Sequence, residues 1–305
     1  MAKRSKVLLA FLLVIVMALT TACFGGSEDI RQPASVSGEA GSEATDGSAD
    51  VEAGESEKEE ISIAQTVLYD ADGIVVTATG YEEGWTGPEI KLLVENNSDK
   101  NILVTSASVS ANGYMMPCAS LYAEVAAGKK ANERLNLLSS ELEQSGIETL
   151  AELQFYIQIQ DPDTWQTVAT SELLTLTTSA APYMQPVDDS GDVLYDDQGI
   201  KVVCKGLKQD IIWDGTVVLY MENNSGKAVS IYAENVSVNG FMQDAGLWSD
   251  LRDGTKLIDG MSMIDLSDLE IESIDQIDSI EFNLRVVDSD TWKEIVTTDT
   301  LNMTF

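Results

Sequence analysis

Four aspartates stand in two pairs, Asp161 with Asp163 and Asp288 with Asp290, each pair one residue apart and just ahead of a Thr-Trp dipeptide. Carboxylates at that spacing can aim two oxygens at one hard cation, and calcium takes about six to eight. Neither stretch carries the further ligands or the glycine of an EF-hand loop. Aspartate also builds turns by bonding to its own backbone. Turn chemistry is therefore the first expectation for all four residues, with calcium as the ion to test. Two tryptophans offer a different chemistry. Trp85 and Trp213 sit beside Gly87 and Gly215, ahead of strand-like runs. Aromatic rings on loops stack on sugars or anchor protein partners, which makes this pair the candidate ligand contacts. Trp165 and Trp292 are followed by alternating threonine and apolar residues. That pattern predicts that they open the last strand and pack into the end of a core.

Histidine is absent, so the commonest general base near neutral pH and the commonest transition-metal ligand are both missing. No serine or cysteine has a histidine to activate it, and no Gly-rich phosphate loop follows a strand. Carboxylates are abundant enough for a glycosidase-like pair to arise by chance, so none is assigned a catalytic role. The chain reads as a non-enzyme with no cofactor. Its 18 basic and 51 acidic residues leave a formal charge of −33, or −36 if Lys3, Arg4 and Lys6 are removed with a leader. Nucleic acid is therefore excluded as a partner, because binding phosphate needs clustered Lys and Arg.

The N-terminus reads as an address. Lys3-Arg4-Ser5-Lys6 precedes an apolar run from Val7 to Leu19, too short for the roughly 20 residues that span a bilayer. Thr20-Thr21-Ala22-Cys23 follows. Small residues leading into a cysteine resemble the lipobox of bacterial lipoproteins, although Thr20 stands where that family usually has leucine. The resemblance implies cleavage after residue 22, diacylglycerol on the Cys23 sulfur, and anchoring at the outer face of the cytoplasmic membrane. Residues 23–63 are rich in Gly, Ser, Ala and Glu, which predicts a disordered acidic tether reaching roughly 35 Å as a coil. With Cys23 allotted to a lipid, Cys118 and Cys204 remain at positions that do not correspond between the repeats, and both are expected to be free thiols.

Beyond the tether the sequence is written twice. Val67-Leu68-Tyr69-Asp70 recurs as Val193-Leu194-Tyr195-Asp196, a shift of 126. Glu95-Asn96-Asn97-Ser98 recurs as Glu222-Asn223-Asn224-Ser225, and the shift of 127 then holds through Asn112-Gly113 and Asn239-Gly240 to the two Asp-Thr-Trp stretches. A register kept for so long marks a duplicated domain, 64–179 and 192–305, joined by a linker at 180–191 that contains Pro182 and Pro186. Two copies are too few for a solenoid, so beads on a string are the expectation.

Each copy reads as antiparallel β. Leu153, Phe155, Ile157 and Ile159 alternate with Gln154, Tyr156, Gln158 and Gln160, giving one apolar face. Asn-Gly between β-rich runs is the strongest short-range hairpin signal. Ser140 to Leu150 predicts a brief helical turn. The expected fold is all-β, two tandem immunoglobulin-like antiparallel β-sandwiches. The Tyr-Asp-x-x-Gly-Ile opening, the Glu-Asn-Asn-Ser turn, the Val-Ser-x-Asn-Gly hairpin and the late Asp-x-Asp-Thr-Trp resemble the telokin-like domains of uncharacterised Gram-positive surface lipoproteins. That resemblance implies fold and location and brings no catalytic residues. It leads to a binding or adhesion module acting through sheet edges and loops on a protein or wall polysaccharide. The alternatives are an accessory subunit of an envelope transporter or secretion complex, and a carboxylate-based wall polysaccharide hydrolase.

Overall fold

A computed structural model of the protein describes residues 30–37, 61–209, 215–263 and 266–305. Strand β1 (Ser35–Ser37) stands apart near the N-terminus. The first repeat contains β2 (Thr66–Ala71), β3 (Ile74–Glu83), β4 (Pro88–Asn96), β5 (Ile102–Ala111), β6 (Tyr114–Met115), β7 (Tyr122–Val125), β8 (Lys129–Asn136), β9 (Glu152–Gln160), β10 (Thr167–Thr170) and β11 (Leu174–Thr177). The second contains β12 (Asp192–Asp197), β13 (Ile200–Lys208), β14 (Gly215–Asn223), β15 (Val229–Val238), β16 (Phe241–Met242), β17 (Ala245–Gly246), β18 (Trp248–Leu251), β19 (Thr255–Met263), β20 (Ser279–Asp288), β21 (Glu294–Thr297) and β22 (Leu301–Thr304). A short helix, Ser139–Gln144, lies where a helical turn is expected. The protein is all-β with antiparallel sheets.

In each repeat two sheets face one another. One is β2-β3-β4-β8, matched by β12-β13-β14-β19. The other is built on the β5–β9 pair, matched by β15–β20. The alternation in β9 places Leu153, Phe155, Ile157 and Ile159 inward and the polar residues between them outward. Phe155 and its counterpart Phe282 are both fully buried. The Asn-Gly turns form as expected, with positive φ at Asn112 (48°) and Gly113 (85°), and at Asn239 (50°) and Gly240 (82°). The first asparagine of each Glu-Asn-Asn-Ser stretch is not a solvent-facing turn residue. Asn96 Nδ2 donates to the Lys100 and Val125 carbonyls, while its Oδ1 accepts from Ser98. Asn223 repeats this set with Lys227, Leu251 and Ser225. Both asparagines are fully buried, so each fixes a loop from inside.

The repeats do not form beads on a string. Tyr114 of β6 pairs in parallel with Lys256 of β19, which joins a sheet of the first repeat to one of the second. The Arg252 guanidinium reaches across to the Ser110 hydroxyl at 2.6 Å and to the Ser108 carbonyl. Val203 and Tyr220 of the second repeat pack into the core of the first. At this seam the two-residue β6 meets the start of the nine-residue β19, and the Lys256 N–H donates to the Gly113 carbonyl instead of to water.

Nor does the expected disorder of residues 23–63 extend to Ile30–Ser37. β1 pairs antiparallel with β22, placing Ser35 opposite Thr304. Arg31 exchanges both backbone hydrogen bonds with Leu207, its Nη1 donates to the Ile274 and Ile277 carbonyls, and its guanidinium lies over the Phe305 ring. Gly206 (φ 128°) makes room, since a Cβ there would strike Ile30 and the Arg31 carbonyl. Composition foretells whether a segment can build a core, and this one builds none. It completes the edge of a core already built, through backbone bonds that composition does not encode. At the far end of the tether, Ile63 is buried against the first repeat. The expected leader, Cys23, most of the expected tether and Trp213 lie outside the described residues.

Candidate functional site

Asp161 and Asp288 are turn builders. Asp161 Oδ1 accepts hydrogen bonds from the backbone of Asp163 and Thr164 and from the Thr164 hydroxyl, and the Thr164 bonds lead in holding its carboxyl below the usual range. Asp288 Oδ1 accepts from Asp290 and Thr291, and bonds from Thr291 lead in lowering its pKa likewise. Asp163 and Asp290 contribute backbone N–H groups to these turns. Among the described residues no group of three or more His, Cys, Asp or Glu is arranged to hold a metal.

The turns drive the next residue into an unusual conformation. Trp165 donates its N–H to the Asp161 carbonyl with φ 61°, and Trp292 donates to Asp288 with φ 59°. A bulky side chain in the left-handed region costs on the order of 1 kcal/mol. Both repeats bear that cost at the same place. The sequence predicts these rings in the core, yet Trp165 is 55% exposed and Trp292 59%. The difference goes with the left-handed backbone at both positions, which a residue opening a regular strand would not adopt.

Each ring lands on an aromatic neighbour. Trp165 meets Tyr122 of β7 with centroids 6.2 Å apart. Trp292 meets Trp248 of β18 edge-on at 6.3 Å, and Trp248 in turn meets Tyr232 of β15 at 5.3 Å. Tyr122 and Trp248 occupy equivalent places, opposite Thr105 in β5 and Tyr232 in β15. The result is an exposed aromatic ledge on the outer face of each repeat. Tyr122, Tyr232 and Trp248 escape sequence reasoning; the one available signal was the Asp-Thr-Trp kept at the same offset in both copies. Of the two tryptophans expected to touch ligand, Trp85 is fully exposed between β3 and β4, with no ring contact among the described residues, and Trp213 lies outside them.

A concavity lies at the seam. A cleft of about 500 Å³ runs between Tyr114, Gln144, Pro186, Lys205, Val218 and Ile258. Behind it a cavity of about 10 Å³ holds Glu141 from the helix of the first repeat and Asp259 from β19 of the second. Burial pushes the Glu141 carboxyl up to about 7, with the charge of Asp259 adding to the rise. Burial also raises Asp259 to about 6, against bonds from the Ser249 hydroxyl and the Gly260 N–H. Glu141 Oε1 accepts the Cys118 N–H at 2.8 Å, while its Oε2 is buried without a hydrogen-bond partner. Two close carboxylates with raised pKa values are what a polysaccharide hydrolase requires. Here, however, the cavity holds about one water and no sugar ring, and neither acid lines the larger cleft.

The expectation of two free thiols holds for Cys204 alone. It is buried and free, and burial raises its pKa to about 12. Cys118 is disulfide-bonded. Allotting Cys23 to a lipid leaves Cys118 no possible partner except Cys204, which is why the sequence points to a thiol there.

Fold and site define a protein of tandem β-sandwiches that carries one exposed aromatic ledge per repeat. No family model and no curated protein matches the chain. Among solved structures it is similar to the YadV chaperone, at 12% identity and a TM-score of 0.23, over 71% of this chain and 92% of that one. It is also similar to the Salmonella enterica SafA pilin in complex with the SafB chaperone, at 16% identity and a TM-score of 0.19, over 82% and 99%. A third is a Porphyromonas gingivalis W83 protein of unknown function, at 8% identity and a TM-score of 0.17, over 71% and 93%. Scores this low carry no argument about how this chain works.

Proposed function

We propose that the protein is a non-catalytic binding module of the cell envelope whose contact surfaces are the two aromatic ledges. The observation that carries this reading is the exposed, left-handed tryptophan built by the same aspartate turn in both repeats. A core has no use for a ring in solvent, and backbone strain held at the same place twice is a mark of function. Exposed aromatic anchors are also the residues that supply most contact energy at interfaces. The test is co-sedimentation of the full chain, produced without acylation, with purified wall sacculi and with membrane vesicles from the same envelope. The Trp165→Ala/Trp292→Ala double variant is expected to lose at least tenfold in retention while keeping its circular dichroism. Equal retention by the double variant would refute the reading.

Attachment to the membrane through a lipid on Cys23 belongs to the same proposal. It is supported by the basic n-region, the apolar run and the small residues before the cysteine. A thioether and a disulfide compete for one sulfur, and Cys118 is disulfide-bonded in a chain whose Cys204 is a free thiol. Mass spectrometry of the exported protein, before and after reduction, decides the matter. A diacylglyceryl mass on the Cys23 peptide supports the anchor, whereas a Cys23 peptide released by reduction refutes it.

A further inference from the structure

The two ledges sit on very different ground. Around Trp292 the outer sheet face is ionic, with Arg285 of β20 paired to Glu234 at 3.1 Å and to Glu294 at 3.4 Å. The equivalent positions around Trp165 carry no charge. Gln158 stands where the second repeat has Arg285, Ala107 replaces Glu234, and Tyr156 replaces Asn283. Strand pairing sets Tyr122, Thr105 and Gln158 in one row across β7, β5 and β9, with Glu124, Leu103, Gln160 and Thr167 in the next. In a chain of formal charge −33, a sheet face on which Glu124 is the one carboxylate in these two rows is unexpected.

We propose that this face of the first repeat, with Trp165 as its stacking surface, binds a neutral glycan chain. The proposal rests on the ledges being the contact surfaces and goes on to name the ligand class of one of them. A pyranose ring offers an apolar C–H face, which suits an exposed indole, and a rim of hydroxyls that both donate and accept. Glutamine amides answer such a rim in both senses. Those of Gln158 and Gln160 make side-chain contacts only at 3.5 Å, the limit of hydrogen bonding, so they are open to a ligand. Charge selects among ligands. The negative field repels an anionic polymer, and the face presents no carboxylate row to draw a cationic one. Glu124 stands at the β7 edge, and Arg252 closes the opposite end by bonding Gln154.

The experiment is a calorimetric titration of the full chain with the β-1,4-linked N-acetylglucosamine hexamer, followed by the cellulose hexamer. Saturable binding to either is expected. Trp165→Ala and Gln158→Glu should each weaken it at least tenfold, Trp165→Tyr should restore most of it, and Trp292→Ala should change it less than twofold. Two results would overturn the proposal: no saturable heat from either sugar, or equal weakening by Trp165→Ala and Trp292→Ala. If envelope retention still depends on the two tryptophans while both sugars fail, the ledge reading survives and the glycan is wrong. If retention fails as well, both fall.

Discussion

The two repeats share their cores almost residue for residue and differ on their outer faces. Phe155 and Phe282, Asn96 and Asn223, and the two Asn-Gly turns do the same work in the same places. Outside, one sheet presents amides and the other ion pairs, and one edge is paired with β1 while the corresponding strand, β11, pairs with β9 alone among the described strands. Duplication thus held constant what burial constrains and left solvent-facing positions free to diverge. Shared exposure is the exception, and for that reason the twin tryptophans are informative.

The comparison breaks most readily in the cores. Phe155→Ala and Phe282→Ala should each cost about 3–5 kcal/mol through lost burial and a residual cavity. Urea midpoints for the two variants should fall together; a difference beyond error would mean that the repeats are not energetic equivalents.

Next in size is the seam, where the carboxylate pair has no duplicate, since Asn132 stands at the position equivalent to Asp259. Both acids titrate higher folded than their ordinary 4.5 and 3.8, so the folded chain binds more protons than the unfolded one between roughly pH 4 and 7. Stability contributed here is present at the acid end and is lost as pH rises through that window. Glu141→Gln removes one titration. The variant should match the parent near pH 4 and exceed it by about 2–3 kcal/mol at pH 8. Parallel stability profiles across that range would dismiss the pair as a strained junction.

A smaller contrast concerns two equivalent glycines. Gly206→Ala must place a Cβ at φ 128° against Ile30 and Arg31, whereas a Cβ at Gly80 meets a flexible lysine carbon at 3.9 Å. The first change should cost about 1–3 kcal/mol and expose Ile30–Ser37 to hydrogen exchange, while the second should do neither. The least effect is expected at the ledge. Trp165→Gly should stabilise the first repeat by up to about 1 kcal/mol by relieving the left-handed strain, while abolishing sugar binding. A loss of stability would mean that the ring packs more than it presents.

Much of the fold could be read from the chain, because period-two alternation in β9 and the Asn-Gly pairs are local signals. The buried role of Asn96 could not, since Glu-Asn-Asn-Ser looks like any polar turn until two carbonyls close over it. The ledge was hidden because Trp165 and Trp292 carry the residue type of a core plug, and neither their left-handed backbone nor their exposure is written in the residue type. Glu141 and Asp259 lie in different repeats and meet only because the repeats do. Pairing of Ser35–Ser37 with β22 is a property of backbone edges, to which a Gly- and Ser-rich composition is silent.

That pairing changes what order along the chain means in space. Ser35 opposite Thr304 brings the earliest described residues onto the last strand, so the first repeat is an insertion between two pieces of its sibling. A force applied upstream of Ile30 is borne by the outermost hydrogen bonds of the second repeat before any reaches the first.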